Sequence, residues 1–170
     1  LLNTALLSLG VAVLQLFVST MVGYGFARFK FWGKNLLFLL VLLMLIIPAQ
    51  TITLPLYVNL NNFLGTGLSL INTPFALLFL ALMGLGLKNG LYIYLMRQFF
   101  RGMPKELEMS AYIDGAGHFR TFFSIMLPNA TNMMITVFLF AFTWQWTDTT
   151  YNTMLIPDLK ILTNTIMNVT

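Results

Sequence analysis

The residues able to do chemistry concentrate in one stretch of this chain, residues 105–128. The stretch holds five of the fourteen charged residues and the sole histidine, His118, in a chain that is only 8% charged. No set of His, Asp and Glu has metal-ligand spacing, no nucleophile is paired with a base, and the absence of cysteine excludes thiolate chemistry. The phosphate-binding pattern G-x-x-x-x-G-K-[ST] is also absent. We therefore predict no catalytic residue, no metal site and no cofactor bound by this chain, and interpret His118 as a packing residue.

The composition places this polar stretch in a membrane protein. The chain is 58% hydrophobic with a mean hydropathy of +0.83, whereas soluble domains carry about 25% charged residues. Such a chain cannot cover its surface with polar groups, so lipid is its natural solvent. No internal repeat or low-complexity linker divides it, so we expect one domain over residues 1–170. Since the chain starts at Leu1, we also expect a fragment that lacks a segment at each end.

Four apolar runs are long enough to cross a hydrocarbon core of about 30 Å at 1.5 Å per residue. Tryptophans near the ends of the first and fourth runs fit the aromatic belts of membrane interfaces. The runs are residues 4–27, 36–58, 70–96 and 122–146, and the tryptophans are Trp32, Trp144 and Trp146. The pattern predicts an all-α membrane protein with about four spans.

The basic residues predict the orientation of these spans. Seven of the nine lie in the loops between the first and second runs and between the third and fourth. Because cytoplasmic loops carry an excess of Lys and Arg, both loops should be cytoplasmic, in a multi-pass protein of the cell membrane. The amino end and residues 147–160, with Asp148, then face outside, where Asp148 is placed to meet an external partner. The seven are Arg28, Lys30, Lys34, Arg97, Arg101, Lys105 and Arg120.

Two of the runs carry helix-breaking residues. Pro48 and Pro55 flank Gln50 and Thr51 in the second run, and proline removes a backbone donor. The freed carbonyls need partners inside the protein or in a water-filled cavity. Both an ordinary packed kink and a bend that lines a pathway fit this pattern. In the third run, the sequence GLGLKNG places Lys88 where a charge is costly, so we expect an interrupted or tilted span with Lys88 at the interface or in a polar cleft.

The polar stretch itself predicts a short helix, a sharp turn and a second helix that enters the membrane. Pro104 suits the first position of a helix, and two glutamates in the first turns suit its dipole. The dipeptide Asp114-Gly115 is a turn signal, because glycine tolerates the positive φ found at a helix end. A short helix of this kind is either a solvated connection or a surface that fits a groove in another protein.

The same stretch resembles the EAA loop of ABC importer permeases, whose pattern is E-A-A, three residues, G, nine residues and I-x-L-P. Here the pattern aligns with Met109-Ser110-Ala111, then Gly115, then Ile125-Met126-Leu127-Pro128. The flanking sequences RQFFRGMPKELE, FTWQWTD, ARFKFWGK and IIPAQTITLPLY also resemble the sugar-importer branch. They are most similar to the second membrane subunit of maltose-type and glycerol-phosphate-type importers. Two positions depart from the pattern: Met109 replaces the motif glutamate, and Ser110 replaces its first alanine.

The resemblance implies a mechanical role for residues 105–117, as a coupling helix held in a cleft of a cytoplasmic ATPase. Met109 cannot make the ion pair that the motif glutamate makes there. The adjacent Glu108 lies about 100° round the helix and is an imperfect substitute. The residues that we expect to contact the ATPase are Glu106, Glu108, Met109, Ser110, Ala111, Asp114, Gly115 and Ala116.

The resemblance also implies the other components of a transport complex. It implies a polytopic helical permease core that imports a sugar, a second membrane subunit of different sequence, and an ATPase dimer that uses ATP and Mg²⁺. It implies an extracytoplasmic solute-binding protein and no nucleic acid. Polar and aromatic residues within the spans are the candidates for the substrate path: Gln50, Thr51, Asn72, Tyr92, Trp144 and Gln145.

Three other functions compete with this interpretation. A secondary transporter would carry ionisable residues inside its spans, and the deep spans here are almost free of charge. A membrane-embedded enzyme would need a catalytic constellation. An ABC importer for a non-sugar solute would share the loop spacing, and only the flanking motifs favour a sugar.

Overall fold

The computed structural model describes residues 1–167, without the side chains of Leu64 and Met167, and these residues form helices with no strand. The prediction of an all-α protein is therefore confirmed for the described part of the chain. A 3₁₀ turn at Phe63–Gly65 and a π-helical turn at Phe122–Met126 complete the helical structure. The helices are α1 (Leu2–Arg28), α2 (Lys34–Ile46), α3 (Ala49–Asn61), α4 (Pro74–Leu82), α5 (Asn89–Gly102), α6 (Glu106–Ile113), α7 (His118–Thr121), α8 (Leu127–Asn129), α9 (Thr131–Thr147), α10 (Thr150–Leu155) and α11 (Leu162–Met167).

Helix α1 is the centre of the fold and packs against α4, α5 and α9. Its buried side includes small and polar residues such as Ser8, Ala12 and Ser19. At Gly23 helix α1 approaches α5 closely, since a Cβ atom there would lie 2.7 Å from Cβ of Met96. Small residues let membrane helices come this close, so α1 and α5 form the tight pair around which the other helices arrange.

The second predicted span is broken into α2 and α3, which meet at an angle of 107°. The break falls at Ile47 and Pro48, whose backbones are extended. Pro55 lies inside α3 without ending it, and its carbonyl accepts a hydrogen bond from the Asn59 side chain at 2.8 Å. The chain therefore turns by about a right angle at Pro48, which is sharper than the proline kink that the sequence allowed.

The third predicted span is also two helices, α4 and α5, separated by residues 83–88. Gly84 and Lys88 have positive φ values of +74° and +59°. The connection is anchored to α1, because the Gln15 side chain donates a hydrogen bond to the Leu87 carbonyl at 3.1 Å. A Cβ atom at Gly86 would overlap with the Gln15 side chain. The expected interruption of the third run at GLGLKNG is therefore confirmed.

The fourth predicted span joins two segments at a bend of 76°, His118–Asn129 and Thr131–Thr147. The bend lies at Ala130, two residues after Pro128, and the first segment contains the π-helical turn. The run predicted over residues 122–146 is therefore bent, and it counts as one span only if the two segments cross the membrane together. The second segment, α9, is the longer of the two, with 17 residues.

Length and composition allow fewer spans than the sequence pattern predicted. Within residues 1–167, α1 alone is long and apolar enough to cross a membrane, and the number rises to three if each bent pair is one span.

The buried residues form two clusters. One lies around Leu7, Leu80 and Leu155, and the other around Tyr92 and Phe100, at the end of the molecule that carries α6.

Candidate functional site

Helix α6 and the turn after it form where the sequence placed the coupling loop. Glu106 and Glu108 occupy the first turn of α6, where carboxylates favour the helix dipole. At the other end, Gly115 has a φ of +79°, and the Ala116 amide donates a hydrogen bond to the Ala111 carbonyl at 2.9 Å. The predicted helix, turn and second helix are confirmed as local structure, with α7 beginning at His118.

Helix α6 has two faces with different surroundings. Met109 and Ile113 are 59% and 86% exposed, and Glu106 and Ser110 lie on the same exposed side. By contrast, Ala111 is 3% exposed and faces the protein. Asp114 and Gly115 are exposed in the turn, and Ala116 is half-buried. The surface available to a partner is therefore the Met109 side of α6, with the turn at its end.

Glu108 points into the molecule, so it does not stand in for the motif glutamate on the outer surface. Its Oε1 accepts a hydrogen bond from the Tyr24 hydroxyl at 2.8 Å, and its Oε2 lies 3.5 Å from Nε of Arg28. Arg28 also donates a hydrogen bond to the Met103 carbonyl at 2.8 Å. These contacts tie α6 to the last turns of α1. Sequence reasoning missed Tyr24 and Arg28 as part of the site, because nothing local links them to Glu108, which lies 84 and 80 positions away along the chain.

His118 closes the turn after α6. Its Nδ1 lies 2.9 Å from the Tyr112 hydroxyl, and its ring packs edge-on against Phe29. These contacts fit the predicted packing role at the start of α7. They also brace the turn against residues that follow α1, so α6 is held on two sides.

The first three candidates for the substrate path lie outside the core. Gln50 and Thr51 are exposed near the start of α3. Asn72 is not within a span, because it lies in the connection before α4, where its Nδ2 donates a hydrogen bond to Asp158 at 2.9 Å. Asn72 therefore fixes the connection between α10 and α11 rather than facing into a membrane span.

The other three candidates differ in their accessibility. Tyr92 is fully buried on α5, and its hydroxyl has no hydrogen-bond partner among the described residues. Gln145 is 3% exposed and donates a hydrogen bond to Asn152 at 3.2 Å. Trp144 is 44% exposed, and the Lys88 ammonium lies 5.2 Å from the centre of its ring. Of the three, Trp144 alone is accessible in the described part of the chain.

A cavity of about 330 Å³ lies between the α2–α3 bend and residues 85–90. Its walls are mostly apolar side chains from α2 and α3, including Met44 and Pro55. Three polar residues also line it: Asn59, Lys88 and Asn89. None of the six candidate residues borders it. The break in the second run signalled a bend at this place, but periodicity does not show which face of α3 turns toward residues 85–90.

Asp148 is buried at the end of α9 and caps α10. Its carboxylate accepts hydrogen bonds from the amides of Thr150, Tyr151 and Asn152 at distances of 3.1–3.4 Å. Burial raises the pKa of Asp148 to about 6, although these amides act in the opposite direction. A side chain that is 6% exposed is not free to meet an external partner, so the expectation for Asp148 is wrong.

The helical fold, with the short helix α6 tied to α1 by Glu108, fits the permease class that the sequence resembles. The chain belongs to the family of binding-protein-dependent transport system inner membrane components, whose model matches residues 15–169. The resemblance seen in the sequence is therefore confirmed.

Two relatives and one solved structure illustrate the match. The chain is 39% identical to the arabinooligosaccharides transport system permease protein AraQ of Halalkalibacterium halodurans, over 74% of this chain and 42% of AraQ. It is 32% identical to the osmoprotective compounds uptake permease protein GgtD of Synechocystis sp., over 86% of this chain and 47% of GgtD. The chain thus spans about half the length of these relatives or less. A bacterial ABC transporter that imports the acidic polysaccharide alginate has the same fold, with a TM-score of 0.79 at 20% identity, covering 97% of this chain and 55% of that one.

Proposed function

We propose that the protein containing this chain is the permease subunit of an ATP-driven, binding-protein-dependent sugar importer. In this proposal it forms the translocation path and couples to a cytoplasmic ATPase through residues 105–117. The observation that carries the proposal is the two-sided environment of α6. Its Met109 side is exposed, while its Glu108 side is tied to the longest apolar helix of the chain.

The tie to α1 supplies a route for movement. A force on the exposed side of α6 would pass through Glu108 to Tyr24 and Arg28, which lie in the last two turns of α1. The packed pair of α1 and α5 would then carry it across the membrane. ATP and Mg²⁺ act in the partner ATPase, and the chain's own part is mechanical.

The chemistry of the docking surface follows from Met109. An exposed thioether and the exposed Ile113 side chain offer apolar, adaptable contact where the motif has a carboxylate. Glu106 is the exposed carboxylate of α6. The ATPase cleft should therefore receive Met109 in an apolar pocket instead of opposite a basic group.

The solute and partners are inferred from similarity. The flanking motifs and the arabinooligosaccharide relative support a sugar, whereas the osmoprotectant relative supports another small polar solute as a second candidate. We propose a second membrane subunit of different sequence, an ATPase dimer and an extracytoplasmic binding protein as the assembly, located in the cell membrane.

Cysteine cross-linking on the two faces of α6 tests the proposal. The chain has no cysteine, so Met109→Cys and Ile113→Cys report on their own positions. In the full-length transporter co-expressed with its ATPase, both should cross-link to the ATPase, and the yield should change when ATP is added. Ala111→Cys is the matched control, because its side chain is 3% exposed and should not react.

No cross-link at Met109 or Ile113, with good expression, would contradict the coupling role. The loop would then be a solvated connection, and an ion-coupled secondary transporter would become the better interpretation. A cross-link from Ala111→Cys alone would show that α6 is rotated relative to this structure.

A further inference from the structure

Five basic side chains line one cavity at the end of the molecule that carries α6. The cavity has a volume of about 410 Å³, and its lining comes from the end of α1, the start of α2, the end of α5 and the start of α6. Its basic residues are Arg28, Lys30, Lys34, Arg101 and Lys105. Membrane topology requires only that such charges lie in the same loops. Their convergence on one cavity from four parts of the chain therefore needs a separate explanation.

The cavity carries more positive charge than the chain neutralises. Arg28 is paired with Glu108, which is the one carboxylate among the lining residues. In the described part of the chain, the other four basic residues of the cavity make no ion pair. Four like charges around one cavity repel one another, so an anion that enters the cavity relieves the repulsion.

The four unpaired side chains are accessible to such an anion. Lys30, Arg101 and Lys105 are exposed, and Lys34 is half-buried. Lys34 donates a hydrogen bond to the Phe29 carbonyl at 2.8 Å, which positions the ammonium without neutralising it. Lysine binds phosphate as a point charge, and arginine binds it through two parallel hydrogen bonds. The set therefore suits a phosphate group that carries a net negative charge.

The surface beside the cavity indicates that this phosphate belongs to a lipid. A neighbouring cavity of about 330 Å³ shares Lys30 and Lys34, and Leu36 of α2 also lines it. Trp32 is 99% exposed in the same connection, as is typical of aromatic residues at a membrane interface. No residue of α2 is buried among the described residues, and Leu36 and Leu40, one turn apart, are both exposed. An apolar helix surface thus begins where the lysines end.

We propose that this cavity binds the phosphate headgroup of an anionic phospholipid, whose acyl chains lie along the exposed leucines of α2. Lys30, Lys34, Arg101 and Lys105 supply the positive charge. Basic pockets between membrane helices bind anionic headgroups in this way. Since Met109 also lines the cavity, a bound lipid would touch the proposed ATPase contact. The inference does not require that contact, because it depends only on the charges and on the membrane position of the chain.

Native mass spectrometry of the delipidated full-length transporter complex tests the proposal. The probes are dioleoyl-phosphatidylglycerol and dioleoyl-phosphatidylcholine, which share the phosphate and the acyl chains and differ in net charge. Phosphatidylglycerol should bind more tightly. The double variant Lys30→Gln, Arg101→Gln should lower the affinity of one phosphatidylglycerol site per copy of the chain by about thirtyfold, the combined effect of two basic residues at an anionic lipid surface. Arg120→Gln is the matched control, because Arg120 is exposed on α7 and does not line the cavity.

Equal binding of the two lipids by the unaltered complex would overturn the proposal, even if the double variant failed to assemble. So would an assembled double variant that loses no more affinity than Arg120→Gln. If inorganic phosphate displaced phosphatidylglycerol at the same concentration, the cavity would bind a free anion and the lipid assignment would fail. Binding only after removal of the ATPase would make the cavity an ATPase contact, which also contradicts the proposal. Cross-linking at Met109→Cys reports on ATPase docking alone, so this inference and the proposed function fail separately.

Discussion

Two buried carboxylates, one at each end of the molecule, are held in different ways. Glu108 on α6 is held by the side chains of Tyr24 and Arg28, which come from α1. Asp148 is held by backbone amides two to four residues further along the chain. One carboxylate joins two distant elements, and the other shapes the chain next to it.

The two arrangements suit two roles: Glu108 couples two distant helices, and Asp148 caps the start of one helix. A tie between distant elements transmits movement from one to the other, so Glu108 lies where a force on α6 would reach α1. A local cap stabilises a helix end without linking it to another helix. The largest functional effects are therefore expected at the end of the molecule that carries α6, and the following changes test that order.

Glu108→Ala should have the largest effect, because it leaves the Arg28 guanidinium buried without its partner. Removing one member of a buried ion pair costs about 3–5 kcal/mol. Thermal unfolding of the detergent-solubilised transporter should show this loss, and ATP-driven uptake should fall with it. Glu106→Ala is the matched control, since it removes an exposed carboxylate from the same helix. Equal effects of the two changes would contradict the tie.

Tyr24→Phe should have an intermediate effect, because the ring remains and only the hydroxyl donor to Glu108 is lost. A buried acceptor deprived of its donor costs about 1–3 kcal/mol. The midpoint of thermal unfolding measures this loss, and Tyr94→Phe, whose hydroxyl makes no hydrogen bond in the described residues, serves as the comparison. If Tyr24→Phe lowered neither the midpoint nor uptake more than Tyr94→Phe, the hydrogen bond to Glu108 would have no part in coupling.

Asp148→Ala should have the smallest effect, a loss of about 1 kcal/mol that is typical of a helix cap. Asp148→Asn should lose less, because the amide oxygen still accepts hydrogen bonds from the first turn of α10. Thermal unfolding of both variants gives the comparison, and ATP-dependent cross-linking at Met109→Cys should be unchanged in each. A loss for Asp148→Ala as large as that for Glu108→Ala would remove the distinction between capping and coupling.

Sequence reasoning located the breaks in the chain well and their geometry poorly. Pro48, the GLGLKNG segment and Gly115 mark real interruptions, because proline and glycine act on the backbone at their own positions. The angle of 107° at Pro48 was beyond prediction, since it depends on which surfaces α2 and α3 bury. Asn72 was misplaced for a related reason: an apolar run does not show where its helix begins.

The sequence by itself determined that the chain suits lipid rather than water. It also determined the all-α class, the helix and turn at residues 105–117, and membership of the permease family. These features depend on composition, on local backbone preferences and on a spaced motif. Tertiary structure alone decided that Glu108 turns toward α1 while Met109 remains exposed, and that Lys88 and Asn89 share a cavity with α3. These side chains are 29 to 84 positions apart in the chain, and their contact depends on how helices pack, which no local pattern encodes.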